Sequence, residues 1–210
     1  MSGSDLQTRD FFLSPSTVSP SPIVQFQHWL AEALETPNLN PREFCLATST
    51  LDGIPSARIV VLKHVDERGF TFHTHYGSPK SHDLMLNPRA ALTFFWAPLK
   101  RSVRVVGKAE RVSAEESDGY FLGRPRGGLL AAWASIQSSV VREGEVTVKV
   151  EDLGKVYEGR EVPRPDHWGG WRIVPQDIEF WRGSMEDRLH DRVRYRLSPQ
   201  GNWIIERLAP

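Results

Sequence analysis

In RLHDRVRYR, residues 188–196, every second position is basic. With the two-residue period of a strand, Arg188, His190, Arg192, Arg194 and Arg196 share one face, opposite Leu189, Asp191, Val193 and Tyr195. Such a face can hold an anion; it can equally be the solvated side of an ordinary surface strand. Other basic residues stand where strands end or helices begin. Arg58 and Lys63 bracket RIVVLK, and Arg124 and Arg126 follow a helix in GRPRG. Lys80 falls in the first turn of a helix, where free N–H groups and the helix dipole favour negative charge. Tyr120, four residues before Arg124, shares its face if the helix reaches that far. Residues of these types bind phosphate, although each alone also suits a solvated cation or, for Tyr120, a core ring with a wet hydroxyl.

Other chemistries lack their motifs. No GxGxxG after a strand, Walker A loop, GxSxG or HExxH occurs. His73 and His75 share a strand face without Asp, Glu or Cys at supporting spacing, so no metal site is expected. The single cysteine, Cys45 in FCLATST, excludes an internal disulfide framework and is expected to be a buried structural thiol in a reducing compartment. Lys and Arg number 26 against 26 Asp and Glu, which speaks against a nucleic-acid partner. No apolar run reaches the roughly 18 residues of a membrane span and MSGSDLQTRD has no apolar signal core, so a cytoplasmic location is expected.

The 210 residues suit one domain with a proper core. Residues 1–21, with the Ser/Pro-rich LSPSTVSPSP, are expected to be a mobile lead-in to a domain spanning 22–210. Ser21 caps and Pro22 opens a helix with Ile23, Phe26, Leu30 and Ala33 on one stripe. From Phe44 the pattern turns to strands: FCLATST, SARIVVLKHV, FTFHTHY, AALTFFWAP and RSVRVVGKAERV, then WRIVPQDIEFW, LHDRVRYRLS and NWIIERLA. Helices are expected after Ser78-Pro79, after the Ser113/Glu116 capping box, and through Leu129, Trp133 and Ile136. EVTVKVEDLGKVYEG alternates like a strand in its first half and reads as helix in its second. About eight short strands with two to four peripheral helices predict a mainly β chain, an antiparallel barrel closed to remove its edges.

In order along the chain, RIVVLK (58–63), YFLGRPRG (120–127), AAWASIQSS (131–139), HWGGWRI (167–173), IEFWRG (178–183), RLHDR (188–192) and RLAP (207–210) resemble the pyridoxamine 5'-phosphate oxidase family. The resemblance implies a homodimeric split β-barrel with FMN in two interface clefts. It implies oxidation of pyridoxamine or pyridoxine 5'-phosphate to pyridoxal 5'-phosphate by hydride transfer to FMN, with dioxygen reduced to hydrogen peroxide. It casts Arg58 and Lys80 as the flavin-phosphate clamp, with Gln137 and Ser138 adding polar contacts. Ile59, Val60, Val61, Leu62 and Lys63 would lie along the flavin, with His73 and Thr74 beside it, and Trp181 and Arg192 would close the site. Lys63, Tyr120 and Arg124 would clamp the substrate phosphate, and Arg188 and His190 would position the reacting carbon. Arg194 and Arg196 receive no role and are expected to be solvated.

The chain departs from the family pattern at Pro79, commonly an arginine, at Ser102 for a glutamine, at Gly128 for a serine and at Asn40 for an aspartate. TRDFFL stands in place of an Arg-x-x-Tyr pattern. A related FMN oxidase of the phenazine-pathway type, or a non-catalytic protein holding FMN or pyridoxal phosphate, are the alternatives these departures leave open.

Overall fold

The computed structural model describes residues 13–183 and 190–210. Helix α1 (Pro22–Leu34) starts where Ser21 accepts a hydrogen bond from the Val24 N–H, and Ile23, Phe26, Leu30 and Ala33 are buried. Nine strands follow, interleaved with four further α-helices: β1 (Glu43–Ser49), β2 (Pro55–Val61), β3 (His64–Asp66), β4 (Gly69–His75), α2 (Pro79–Leu86), β5 (Arg89–Trp96), β6 (Arg101–Arg111), α3 (Ala114–Leu122), α4 (Arg126–Ala134), α5 (Glu145–Val156), β7 (Trp168–Arg182), β8 (Asp191–Leu197) and β9 (Trp203–Arg207). Among the described residues no helix is long and apolar enough to cross a membrane.

The strands run antiparallel in the order β2-β1-β5-β6-β7-β4-β3, with β8 and β9 extending from β7. SARIVVLKHV, expected as one strand, is two. The chain turns a corner at Leu62 and Lys63, where the Leu62 N–H donates to Arg42 and the Lys63 N–H donates to Thr71. β2 therefore pairs with β1 while β3 pairs with β4, and this covalent corner joins the two ends of the sheet into a barrel.

Strand β7 holds the barrel to its C-terminal extension. Its first half pairs with β4, its second with β8, and both halves with β6. Val106 faces Asp177 and Gly107 faces Pro175, so Gln176 is an extra residue, a bulge at which proline's missing N–H breaks no ladder bond. Gly107 is required here, since a Cβ would stand 2.1 Å from the Val174 carbonyl oxygen.

Alternation sorts the side chains. On β5, Leu92, Phe94 and Trp96 face inward while Thr93 and Phe95 face out. Phe26 enters the barrel from α1, with its ring centroid 4.9 Å from both Phe70 and Phe94. Several expectations change at this level. Cys45 lies half-buried on the outward side of β1 rather than in the core. In the expected mobile lead-in, Leu13 is buried and the Tyr195 hydroxyl donates to the Ser19 carbonyl at 2.6 Å, while residues 15–17 and 20 are exposed. Helix α4 ends at Ala134, leaving Ile136 outside it, and EVTVKVEDLGKV is wholly helical because Val150, Leu153 and Tyr157 pack toward Leu129 and Leu130.

Candidate active site

A cleft of about 760 Å³ runs along β2, floored by β4 and walled by α2, α3 and α4. That volume is in the range of small-molecule and cofactor sites. Lining it are Arg58, Ile59, Val60, Val61, Lys63, His73, Thr74, Lys80, Tyr120, Arg124, Gln137 and Ser138, together with Ser56, His75, Pro79 and Trp168. Sequence reasoning singled out Pro79 at the flavin-phosphate end, as a departure from the family pattern, and missed Ser56, His75 and Trp168 as site residues. Ser56 was accessible to it, because period two puts it on the face of Arg58.

At one end are Arg58 and Lys80. The Arg58 guanidinium donates from Nη1 to Thr48 Oγ1 at 2.7 Å and from Nη2 to Ser56 Oγ at 2.7 Å. Lys80, buried at the first turn of α2, donates from Nζ to Gln137 Oε1 at 2.8 Å and to Thr74 Oγ1 at 3.3 Å. Among the described residues, neither forms a salt bridge with a carboxylate. Burial, and then the neighbouring charge of Arg58, pushes Lys80 down to about 8; burial likewise lowers Arg58. Ser78, the residue before Pro79, has a buried Oγ without a partner among the described residues. Beside them Ser138 holds a left-handed φ of +70°, uncommon outside glycine and a mark of functional loops.

At the other end are Lys63, Tyr120 and Arg124. The Tyr120 ring stacks on His73 at 4.1 Å, and Lys63 Nζ stands 5.7 Å from the Tyr120 ring centre. The Arg124 guanidinium lies 4.7 Å over Trp168, and its Nη1 is buried without a partner among the described residues. A Cβ on Gly128 would stand 3.3 Å from Arg124 Nη2, so the glycine leaves this guanidinium room. Both His73 ring nitrogens are buried and unpartnered among the described residues; burial first, then Lys63 and Arg124, holds the imidazole down to about 4 and so neutral. An unpaired buried cation is costly unless an anion completes it. Both ends therefore suit anionic ligands.

The remaining predicted residues are placed otherwise. Leu62 points into the core at 0% exposure, so its side chain cannot line the cleft; the corner sends Leu62 inward and Lys63 outward. Trp181 and Arg192 line a second groove, of about 430 Å³, with Phe95, Ser102, Arg104 and Glu179. Glu179, buried, accepts from Arg104 Nη2 at 2.9 Å and from Arg192 Nε at 2.8 Å. His190 stands against Trp181, with ring centres 4.9 Å apart. Arg188 lies outside the described residues. Arg194 and Arg196, expected to be solvated, pair instead with Glu206 at 2.6 and 3.4 Å.

The antiparallel barrel and its cleft, cationic at both ends, define a split-barrel protein suited to elongated, phosphate-bearing ligands. Residues 30–157 match the family model described as pyridoxamine 5'-phosphate oxidase, and residues 168–210 match the pyridoxine 5'-phosphate oxidase C-terminal dimerisation region. The chain belongs to the pyridoxamine 5'-phosphate oxidase family. It is similar to the pyridoxine/pyridoxamine 5'-phosphate oxidases of Bordetella petrii, at 50% identity over 94% of this chain and 93% of the relative, and of Nostoc sp., at 47% over 94% and 92%. Among solved structures it is similar to PhzG from Burkholderia lata, in complex with tetrahydrophenazine-1-carboxylic acid, with a TM-score of 0.88 and 30% identity over 94% of this chain and 98% of the other. A related FMN-binding protein from Nostoc punctiforme, with a TM-score of 0.73 and 16% identity over 92% and 100%, shares the fold.

Proposed function

We propose that the protein oxidises pyridoxamine 5'-phosphate or pyridoxine 5'-phosphate to pyridoxal 5'-phosphate, using FMN held in the cleft along β2. The observation that carries this reading is the pair of cationic ends, Arg58 with Lys80 and Lys63 with Arg124, in one cleft. Arg58 lies on β2 and Lys63 beyond the corner that follows it, which gives separate places to a flavin phosphate and a substrate phosphate. The orphaned Ser78 Oγ and the unpaired Lys80 fit the first; the orphaned Arg124 Nη1 fits the second.

FMN in this cleft would supply two-electron oxidation of the substrate carbon that bears the amine or alcohol, with dioxygen as terminal oxidant and hydrogen peroxide as its product; water would hydrolyse the imine from the amine substrate to the aldehyde and ammonia. The chain's own groups bind and orient. Arg58 and Lys80 hold the flavin phosphate, Gln137 and Thr74 fix the Lys80 ammonium, and the exposed faces of Ile59 and Val61 give the ring an apolar surface. Lys63, Tyr120 and Arg124 hold the substrate phosphate, with His73 as a neutral stacking support for Tyr120. In a homodimer the second groove of the partner subunit closes this cleft, which brings Trp181 and Arg192 to the flavin and His190 to the substrate, the role that the resemblance also gives to Arg188. Residence in the cytoplasm agrees with the free Cys45 thiol.

Anaerobic mixing of the FMN-saturated protein with pyridoxamine 5'-phosphate tests the reading. Rapid bleaching of the flavin absorbance with aldehyde formation is expected. A spectrum that stays yellow with both phosphorylated vitamers, but bleaches with a tricyclic phenazine precursor, would transfer the chain to the PhzG type of substrate.

Lys80 adds a pH signature. Its protonated form binds the phosphate dianion, and a bound dianion raises its pKa, so FMN affinity is level from about pH 7, where the phosphate is fully ionised, to about pH 8 and falls as pH climbs above it. Fluorescence titration of the apoprotein should show the Kd rising by up to about tenfold per pH unit between pH 8.5 and 9.5. Lys80→Arg should flatten that slope; a wild-type Kd constant to pH 9.5 would remove Lys80 from the phosphate site.

A further inference from the structure

Behind the Arg58 end of the cleft stands a buried carboxylate with no part in the contacts described above. Asp83 follows Lys80 by one turn on α2 and is 8% exposed. Its Oδ2 accepts a hydrogen bond from Thr48 Oγ1 at 2.6 Å, and Thr48, on β1, is 4% exposed. The same Thr48 Oγ1 accepts from Arg58 Nη1 at 2.7 Å. Register explains the reach: Thr48 faces Ser56 across the β1–β2 ladder, which makes it the diagonal neighbour of Arg58.

The direction of these bonds is fixed by chemistry. A hydroxyl has one proton, and an ionised carboxylate only accepts. With its proton committed to Asp83, Thr48 must turn a lone pair toward Arg58. We propose that Asp83 is a positioning residue that acts through Thr48 to aim the Arg58 guanidinium at the flavin phosphate. This inference rests on the reading of Arg58 and Lys80 as the flavin-phosphate site.

Charge alone predicts the opposite sign. Asp83 is an anion close to the place of a dianionic phosphate, so deleting its charge would tighten FMN binding if electrostatics were its whole effect. Positioning predicts weaker binding, and only for ligands that carry the phosphate.

The test titrates apoprotein with FMN and with riboflavin, which has the same ring without the phosphate, and compares the ratio of the two Kd values. Wild type should favour FMN strongly. In Asp83→Leu and in Thr48→Val the FMN Kd should rise about tenfold, the range of one charge-assisted hydrogen bond, while the riboflavin Kd stays put. Thr48→Ser keeps the hydroxyl and should restore the ratio. Thr48→Val, close to isosteric, carries the test alone if Asp83→Leu does not fold. An unchanged or larger preference for FMN, or equal losses for both ligands, overturns the proposal. A wild-type ratio near one would instead overturn the phosphate reading of Arg58 and Lys80, and the proposal with it.

Discussion

Arg124→Met lowers kcat/KM for pyridoxamine 5'-phosphate by about a hundredfold or more, with flavin content unchanged. Two charge-assisted bonds to a phosphate, at roughly 1.5–3 kcal/mol each, set that scale. Because the phosphate does not react, most of the loss should appear in KM rather than kcat. Methionine keeps the apolar packing over Trp168 and Phe121, where the guanidinium now stands at 4.7 and 5.6 Å. A second effect has the opposite sign. Arg124 is desolvated and its Nη1 has no partner among the described residues, so the ligand-free variant should melt no lower than wild type. Steady-state kinetics with a melting curve read both; a KM within twofold of wild type would sink the assignment.

Phe26→Ala should be the most damaging core substitution. Phe26 is 0% exposed and its ring packs against Phe70, Phe94 and Trp96 at 4.9, 4.9 and 6.0 Å. Truncating a buried phenylalanine costs about 3–5 kcal/mol, which in a chain of this size lowers Tm by roughly 10 °C. The loss is large because α1 delivers this ring into the centre of the barrel, and the three aromatic neighbours, held by the two strands β4 and β5, cannot collapse together to fill the void. Phe26→Leu should recover most of the difference. A fall of under 3 °C for the alanine variant at fixed protein concentration would show that α1 is not coupled to the barrel.

Much of this architecture is legible in the sequence, for identifiable reasons. β1, β4, β5 and β6 alternate apolar and polar residues between turns, and Ser21-Pro22 and Ser113/Glu116 mark helix starts by the chemistry of their caps. The corner at Leu62 and Lys63 was hidden, since no glycine or proline marks it and a bend that keeps inside–outside alternation leaves the pattern intact. Helix α5 was hidden because Val146, Val148 and Val150 alternate while the helix needs only a narrow face against α4. In the site, Arg58, Lys63, Lys80, Tyr120 and Arg124 stood out by charge and position. Asp83 and Thr48 did not: their significance is a chain of two hydrogen bonds across three elements, and no spacing in the sequence encodes it. Trp181 and Arg192 lie together but on a second groove of this chain, because spacing in a sequence does not say which groove of a barrel a strand face lines.

Strand β7 also governs when this chain can fold. His75, at the end of β4, pairs with Trp168, so β4 waits for a partner made roughly ninety residues later. At about 5–20 residues per second of synthesis, that is some 5–20 s during which Phe70 and Phe72 lie on an unpaired strand edge. Barrel closure is therefore delayed until β7 has been made, and its cost is a window of exposure to aggregation. Substitutions that weaken the β4–β7 ladder should cut soluble yield in cells more than they lower the melting temperature of the protein that survives.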